Sequence, residues 1–394
     1  LYQMKTFKIG LLPKIIIAIV CGVVFGMFLP GEVVRVFLTF NGIFSQFLGF
    51  LIPLLILGLV APAISDIGQG AGKMLIATTA LAYFATVTSG LLSYAVSELT
   101  FPSLIDTQTT AASLATTEAM APFFTVEIPA PMNVMTALVL AFTLGLTTAT
   151  MQSVALKNVM KDFMQVIIKT INVAIIPLLP IYIFGIFLNM AYTGDAARVL
   201  TVFVKIIGVI FVMHIFLLIF QYCVAGAFVG KNPFRLLGRM LPAYFTALGT
   251  QSSAATIPVT LRQTIANGVN KSIAGFVIPL CATIHMSGSV MKIVACAMAL
   301  MMMQHISYDF VTVIGFILML AISIVAAPGV PGGAIMASLG VLASILGFTE
   351  ADQALMIALY IAMDSFGTAC NVTGDGSLAL LIDKWFGGKD KSEK

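Results

Sequence analysis

The sequence predicts an all-α membrane protein that has eight membrane-spanning helices and two re-entrant helical hairpins. Of the 394 residues, 60% are hydrophobic and 9% are charged, and the mean hydropathy is +1.07. This composition is typical of a chain that crosses a bilayer many times, and it excludes a soluble enzyme or a nucleic-acid-binding protein. Eight apolar stretches reach the length of about 20 residues that a crossing requires: 11–29, 37–64, 74–97, 132–152, 164–190, 198–229, 272–302 and 354–382.

The charged residues predict which side of the membrane each loop faces. The segment 98–131 carries acidic residues and no basic one, whereas lysine and arginine lie near both ends of the chain and in the 157–161, 231–239 and 262–271 segments. Because basic residues favour the cytoplasmic side, we expect both termini in the cytoplasm and 98–131 outside. The expected location is a plasma membrane of the prokaryotic cytoplasmic type. The first stretch lacks a signal-peptide cleavage site, so we expect it to remain in the mature protein.

Two further apolar segments, 240–261 and 311–347, are interrupted by polar residues, glycine and proline. The interruptions fall at Gly249 to Ser253 and at Ala327 to Gly333. Non-helical backbone at membrane depth persists only where protein or a water-filled cavity satisfies its N–H and C=O groups, so two re-entrant hairpins facing a polar cavity are predicted. The alternative is a pair of kinked spans, which would place Arg262 and Lys271 outside, against the charge rule.

The last apolar stretch contains two carboxylates, Asp364 and Asp375. Ionisable residues inside a membrane are costly and usually mark a ligand pathway. Together with Thr368 and Asn371 they follow spacings of 4, 3 and 4, which return to one helix face. One stripe is therefore predicted to bind two or more ligands, although Asp375 alone is also compatible with a position near the cytoplasmic interface.

Three motifs carry a resemblance to a known family. They are the serine-rich run Gln251 to Thr260, the tip Gly329 to Ala334, and Asp364 with Thr368 and Asn371 to Asp375. On these motifs the chain resembles the dicarboxylate/amino acid:cation symporter family, the glutamate transporter homologues. The resemblance implies inverted repeats, a homotrimer and an elevator-type transporter. It also implies this division: 1–72, scaffold helices 1 and 2; 73–97, transport-domain helix 3; 98–197, external loop and scaffold helices 4 and 5; 198–394, transport-domain core.

The resemblance also implies a substrate site. Asp364 matches the carboxylate that receives the substrate ammonium, Thr368 and Asn371 match side chains that hold its polar groups, and Ser253 with the second tip matches the carboxylate cradle. The implied set is Ser252, Ser253, Ser289, Val330, Gly333, Asp364, Thr368 and Asn371.

The substrate class follows from what the chain lacks. Many family members that carry acidic substrates place an arginine at the position of Gly367 or of Gln251, where it binds the side-chain carboxylate as a bidentate partner. Without that arginine a distal carboxylate would be desolvated without a cation, and Asp364 would repel one end of a simple dicarboxylate. A small neutral amino acid of the serine, threonine and alanine class remains.

The resemblance implies two sodium sites and leaves a third doubtful, because Ser287 stands where the family has an aspartate. The implied cation ligands, through backbone carbonyls and the Asp375 carboxylate, are Cys281, Thr283, His285, Met286, Ile324, Val325, Ala327, Asn371 and Asp375. His285 is either a proton carrier, so that H⁺ takes part, or a hydrogen-bonded structural group. Lys292 either pairs with a carboxylate, in which case it takes the place of the lost cation, or snorkels to the interface.

These observations favour a secondary active transporter that couples a small neutral amino acid to sodium in a lipid bilayer. One alternative is a proton- or sodium-coupled carrier of acidic amino acids or C4-dicarboxylates. Another is a channel-like pathway for solutes or ions, which is disfavoured because the polar residues gather at one depth instead of lining a pore. An enzyme is not expected, since the chain lacks the motifs of membrane hydrolases.

Overall fold

The computed structural model describes residues 11–68, 72–105, 120–151, 153–194, 196–325 and 332–387. Every regular element within these ranges is a helix. In chain order they are α1 (Leu11–Gly26), α2 (Gly31–Gly68), α3 (Lys73–Leu104), α4 (Val134–Met151), α5 (Val154–Thr170), a π-helical turn (Ile171–Ile175), α6 (Ile176–Tyr192), α7 (Ala196–Val229), α8 (Pro233–Thr250), α9 (Ser253–Ala266), α10 (Lys271–Ile284), α11 (Ser287–Met303), α12 (Phe310–Ile324), α13 (Gly333–Leu346), α14 (Glu350–Ala362) and α15 (Asp364–Phe386).

Within the described ranges, five continuous or nearly continuous helical segments are long and apolar enough to cross a membrane, and a sixth is formed by the bent pair of α14 and α15. The first and fourth predicted spans correspond to α1 and α4, whose apolar parts are shorter. The all-helical membrane architecture therefore agrees with the sequence, whereas the count of eight crossings stays a prediction.

The helices pack in two groups. In the first, α1 packs against α6, and α2 packs against α4, α5 and α6. The second group contains α3 and α7 to α15; there α11 lies against α3, and α15 contacts α7, α8, α9 and α10. The two groups also contact each other, through α2 with α13 and α1 with α14, and the division into a fixed scaffold and a moving transport domain remains a prediction.

Small residues bring α1 and α6 close together. A Cβ atom added at Gly22 would lie 2.7 Å from the carbonyl oxygen of Phe184, and one added at Gly26 would meet the carbonyl of Leu188. Helices in a membrane associate through close packing instead of a hydrophobic driving force, so glycine at such a contact permits the approach of two backbones.

The helices on either side of each interruption pack against each other as a hairpin, and residues 326–331, which connect the second pair, lie outside the described residues. α8 packs against α9, and α12 packs against α13, which the two halves of one kinked span would not do. The first hairpin begins at Pro233, earlier than the predicted 240, because the side chain of Asn232 caps α8 by accepting a hydrogen bond from the Arg235 backbone N–H. Its turn is Gln251, whose φ of 53° ends α8 in a left-handed conformation.

The structure corrects the prediction that 354–382 is one continuous span. The helix breaks at Met363, and the axes of α14 and α15 differ by 63°. Asp364 is therefore the first residue of α15 and does not lie in mid-helix. The free N–H groups and positive end of the dipole at a helix N-terminus favour a carboxylate there, which is a physical reason for the break. The stripe from Asp364 to Asp375 survives, because all four of its residues belong to α15.

Candidate functional site

An ion pair between α11 and α15 lies at the centre of the second helix group. The Nζ atom of Lys292 is 3.1 Å from Oδ1 of Asp364, and their side chains are 0% and 5% exposed. The same Nζ donates to the carbonyl of Met363 at 3.3 Å and lies 3.4 Å from the centroid of the Tyr360 ring. A buried charge pair is tolerated only when further polar contacts satisfy it, and the carbonyl and the aromatic face supply them. Of the two sequence interpretations, Lys292 is paired and does not snorkel.

The other oxygen of Asp364 binds the second hairpin. The backbone N–H of Gly332 donates to Oδ2 at 2.8 Å. Gly332 has a φ of 76°, a left-handed conformation that glycine adopts without strain, and the next residue, Gly333, begins α13. Asp364 therefore joins three elements at one point: the middle of α11, the N-terminus of α15 and the tip of the second hairpin.

Asn371 connects α15 to the start of α11. Its Oδ1 accepts hydrogen bonds from the backbone N–H groups of Gly288 at 2.8 Å and Ser289 at 3.3 Å. Its Nδ2 donates to Oγ of Ser289 at 3.0 Å, and the Tyr360 hydroxyl donates to the same Oγ at 3.0 Å. The predicted substrate residues Ser289, Asp364 and Asn371 are thus brought together, with Tyr360 as a member that the sequence did not single out.

The Lys292 side chain packs directly against Gly367. A Cβ atom added at Gly367 would lie 2.8 Å from Nζ and 2.9 Å from Cε of Lys292. The lysine side chain therefore fills the space beside the α15 position where acidic-substrate members of the resembled family carry an arginine. Sequence spacing gave no hint of this, because Lys292 and Gly367 come from different helices.

A second pair lies further along α15. Nδ1 of His285 is 2.9 Å from Oδ1 of Asp375, and both side chains are buried. Nε2 of His285 lies 2.6 Å from the Ser287 hydroxyl, and that hydroxyl accepts a hydrogen bond from Gln221 on α7 at 3.4 Å. A neutral imidazole fits this arrangement, with Nδ1–H donating to the carboxylate and Nε2 accepting from the serine. One oxygen of Asp375 is thus engaged, and the other is the one it can offer to a cation.

The remaining predicted cation ligands differ in their surroundings. Cys281 is buried at the end of α10, where its carbonyl accepts from the His285 N–H at 2.8 Å. Met286 separates α10 from α11, and Val325 packs against the apolar cluster that contains Cys281. The Thr283 side chain is exposed, its hydroxyl donating to the Leu280 carbonyl, and Ile324 ends α12. Ala327 and the substrate residue Val330 lie outside the described residues.

The tip of the first hairpin carries two of the predicted substrate residues. Ser252 caps α9 by accepting from the Ala255 N–H at 3.3 Å, and Ser253 is buried at the start of that helix. α9 packs against α15, whose Thr368 is 7% exposed. These contacts place the helix that carries the tip beside the stripe, without a direct hydrogen bond from Ser252 or Ser253 to Asp364 among the described contacts.

Two polar residues of α7 contact the start of α11. Nε2 of His214 lies 2.9 Å from the Gly288 carbonyl, and Gln221 reaches Ser287 as described above. Sequence analysis would assign a lone histidine and a lone glutamine in an apolar helix to packing. Their spacing of seven residues, two helical turns, is the one signal that could have placed both on one face toward a common partner.

Comparison with known proteins adds independent information. The family model described as the sodium:dicarboxylate symporter family matches residues 11–385. The neutral amino acid transporter B(0) of Bos taurus is 31% identical over 159 residues, which cover 40% of this chain and 29% of that protein. The excitatory amino acid transporter of Caenorhabditis elegans is 28% identical over 265 residues, 65% of this chain and 52% of that protein. Excitatory amino acid transporter 2 of Homo sapiens is 32% identical over 178 residues, which cover 45% of this chain and 30% of that protein.

The chain spans less than two thirds of the length of each of these relatives. The family model, in contrast, extends over most of the chain and includes all three motifs on which the resemblance was drawn. On that match the chain belongs to the sodium:dicarboxylate symporter family.

Proposed function

We propose that the protein is a secondary active transporter that couples the uptake of a small neutral amino acid, of the serine, threonine and alanine class, to sodium. The observation that carries the proposal is the position of Asp364, a buried carboxylate at the point where α15 begins and the second hairpin ends its turn. A carboxylate there suits the substrate ammonium, and the N–H groups at nearby helix N-termini suit the substrate carboxylate.

The neutral side chain is supported by the absence of arginine. Position 367 is glycine and position 251 is glutamine, so neither offers a guanidinium to a distal carboxylate. The relative named a neutral amino acid transporter is consistent with this substrate class.

Sodium is the coupling ion that the family description supports. The first site would use the free oxygen of Asp375 with the carbonyls of Cys281, His285 and Asn371, an all-oxygen set that suits a hard cation. The second would use carbonyls near Thr283, Met286 and 324–327. Ser287 provides no negative charge for a third site, so we propose two sodium ions, with H⁺ as a further possible coupling ion.

The transport cycle is proposed to be an elevator movement in a homotrimer. Helices of 1–72 and 98–197 would form the scaffold, and 73–97 with 198–394 would carry the substrate across. The packing of the helices in two groups is what such a division requires. The proposed location is a prokaryotic cytoplasmic membrane, with both termini in the cytoplasm.

A second candidate function, the transport of acidic amino acids or dicarboxylates, is favoured by one observation. The ammonium of Lys292 rests on Gly367 and neutralises Asp364. A lysine in that place offers a cation to a distal carboxylate, and a neutralised Asp364 repels a dicarboxylate less than a free one. The neutral substrate remains the leading proposal because Oδ1 of Asp364, the Met363 carbonyl and the Tyr360 ring already engage this lysine.

Proteoliposomes separate the two candidates. We expect labelled serine, threonine or alanine to accumulate under an inward sodium gradient but not under a potassium gradient. Excess unlabelled neutral amino acids should inhibit, whereas aspartate, glutamate and succinate should compete poorly. Strong inhibition by aspartate or succinate would favour the acidic-substrate candidate, and sodium-independent uptake would remove sodium from the proposal. Exchange stimulated by substrate inside the vesicle would exclude a channel.

A further inference from the structure

We propose that Lys292 is a tethered competitor of the substrate ammonium. In the empty carrier its Nζ takes the counter-ion position at Asp364, and substrate binding exchanges the lysine ammonium for the substrate ammonium. The inference rests on the proposed function, because it assumes a substrate that carries an α-ammonium. It gives Lys292 a role in the cycle that differs from a replacement for a third sodium.

The geometry requires an exchange. Oδ1 of Asp364 accepts from Lys292 and Oδ2 accepts from the Gly332 N–H. Each oxygen could accept a further hydrogen bond, but a second ammonium beside Lys292 would be repelled by the first, so the arriving ammonium has to displace the lysine. The Gly332 bond ties the start of α13 to the carboxylate, so an exchange at Oδ2 would release that contact, whereas an exchange at Oδ1 leaves it in place.

Lys292 can leave Asp364 and still keep partners for its ammonium. Its Nζ has two other partners, the Met363 carbonyl at 3.3 Å and the Tyr360 ring at 3.4 Å. Both persist after a short movement of a flexible four-carbon side chain, and a cation over an aromatic face is stabilised in a dry site. The lysine therefore has a second resting place within its own reach.

The pair also affects the return of the empty carrier. A buried carboxylate without a counter-ion is strongly unfavourable, and moving it through the membrane centre is more unfavourable still. With Lys292 in place, the empty site carries the same balanced pair as the loaded site, so the carrier can return without substrate. Net uptake needs this return step, whereas exchange of internal for external substrate does not.

Lys292→Gln tests the idea, because glutamine removes the charge but keeps a donor for Asp364. We expect substrate to bind at least about tenfold more tightly, since it meets an uncompensated carboxylate, and net uptake into substrate-free vesicles to fall at least about tenfold. Exchange with substrate-loaded vesicles should remain near the wild-type rate. Lys292→Arg, which keeps the charge, should retain more net uptake than the glutamine variant. Lys205→Gln is the matched control, because Lys205 is an exposed lysine of α7.

The outcomes are distinct. Loss of net uptake with retained exchange supports the inference. Net uptake and exchange that fall together, or both unchanged with unaltered affinity, would overturn it and leave Lys292 a packing residue. If Lys292→Gln is not monodisperse after purification, Lys292→Met repeats the comparison. Failure of the wild type to exchange any neutral amino acid would instead refute the proposed function. Exchange by the wild type is therefore measured before any variant is compared.

Discussion

Two side-chain pairs join the segment of α10 and α11 to α15, and they differ in which contacts remain available to a ligand. Lys292 and Asp364 meet at a helix N-terminus, where the backbone N–H of Gly332 also donates to Asp364. His285 and Asp375 meet in the interior, and Ser287 and Gln221 extend the second pair into a hydrogen-bonded chain.

The difference indicates which pair exchanges partners. Lys292 offers Asp364 an ammonium, so in the proposed cycle it competes with the substrate ammonium for the same carboxylate. The histidine can hold Asp375 as a neutral donor, which leaves the carboxylate charge available to a bound cation. The first pair is therefore suited to substrate exchange, and the second to orienting a carboxylate beside sodium.

Asp364→Asn should have the largest effect, because it breaks the first pair and removes the proposed ammonium partner. Lys292 would remain buried beside a neutral amide. We expect apparent substrate affinity to weaken by about 2–5 kcal/mol, the range for removing one partner of a buried charge pair. Binding to the purified protein and uptake both measure it. Asp162→Asn, at an exposed position of α5, is the control, and near-normal binding by Asp364→Asn would remove this residue from the site.

Gly367→Arg should nearly abolish uptake when Lys292 is present. The added Cβ alone would lie 2.8 Å from the lysine Nζ, and a second cation would repel the first. Combining it with Lys292→Met frees the space, and we expect this double variant to prefer aspartate to alanine in competition assays. Gly315→Ala is a control for the added carbon, because nothing lies within 4 Å of its Cβ position. Efficient aspartate uptake by the single variant would contradict the assigned crowding.

The sequence predicts the features that depend on local pattern and misses those that depend on contacts between distant helices. Hydropathy, loop charge and the spacing on α15 were enough for the all-helical architecture, the hairpins and the stripe, because each depends on local periodicity. The break at Met363 was missed because the apolar run reaches it without a proline or glycine, and the polar residues that follow were assigned to the face of one continuous helix. The pairing of Lys292 with Asp364, and of His285 with Asp375, depends on how distant helices pack, so the sequence left each lysine or histidine role open between two interpretations.

Asp375→Asn should have an intermediate effect that is confined to sodium. The amide keeps an oxygen that can accept from His285 but loses the charge that a sodium ion would use. We expect the sodium concentration for half-maximal uptake to rise by about tenfold, with a smaller change in substrate affinity at saturating sodium. Initial rates over a sodium series measure this. Asp383→Asn lies on the same helix outside the stripe and is the control; an unchanged sodium response in Asp375→Asn would refute the cation assignment.

Tyr360→Phe should have the smallest effect, and it separates two contributions of one side chain. The substitution removes the hydroxyl that donates to Ser289 at 3.0 Å but keeps the ring beneath the Lys292 ammonium. Ser289 Oγ still accepts a hydrogen bond from Asn371, so no buried acceptor loses all its partners. We therefore expect a loss of about 0.5–1.5 kcal/mol in stability, with little change in the ratio of net uptake to exchange.

Tyr360→Leu removes the ring as well, so the displaced lysine loses its contact with the aromatic face, and substrate affinity should fall further than in Tyr360→Phe. Equal affinities in the two variants would show that the aromatic face does not hold the lysine during the cycle.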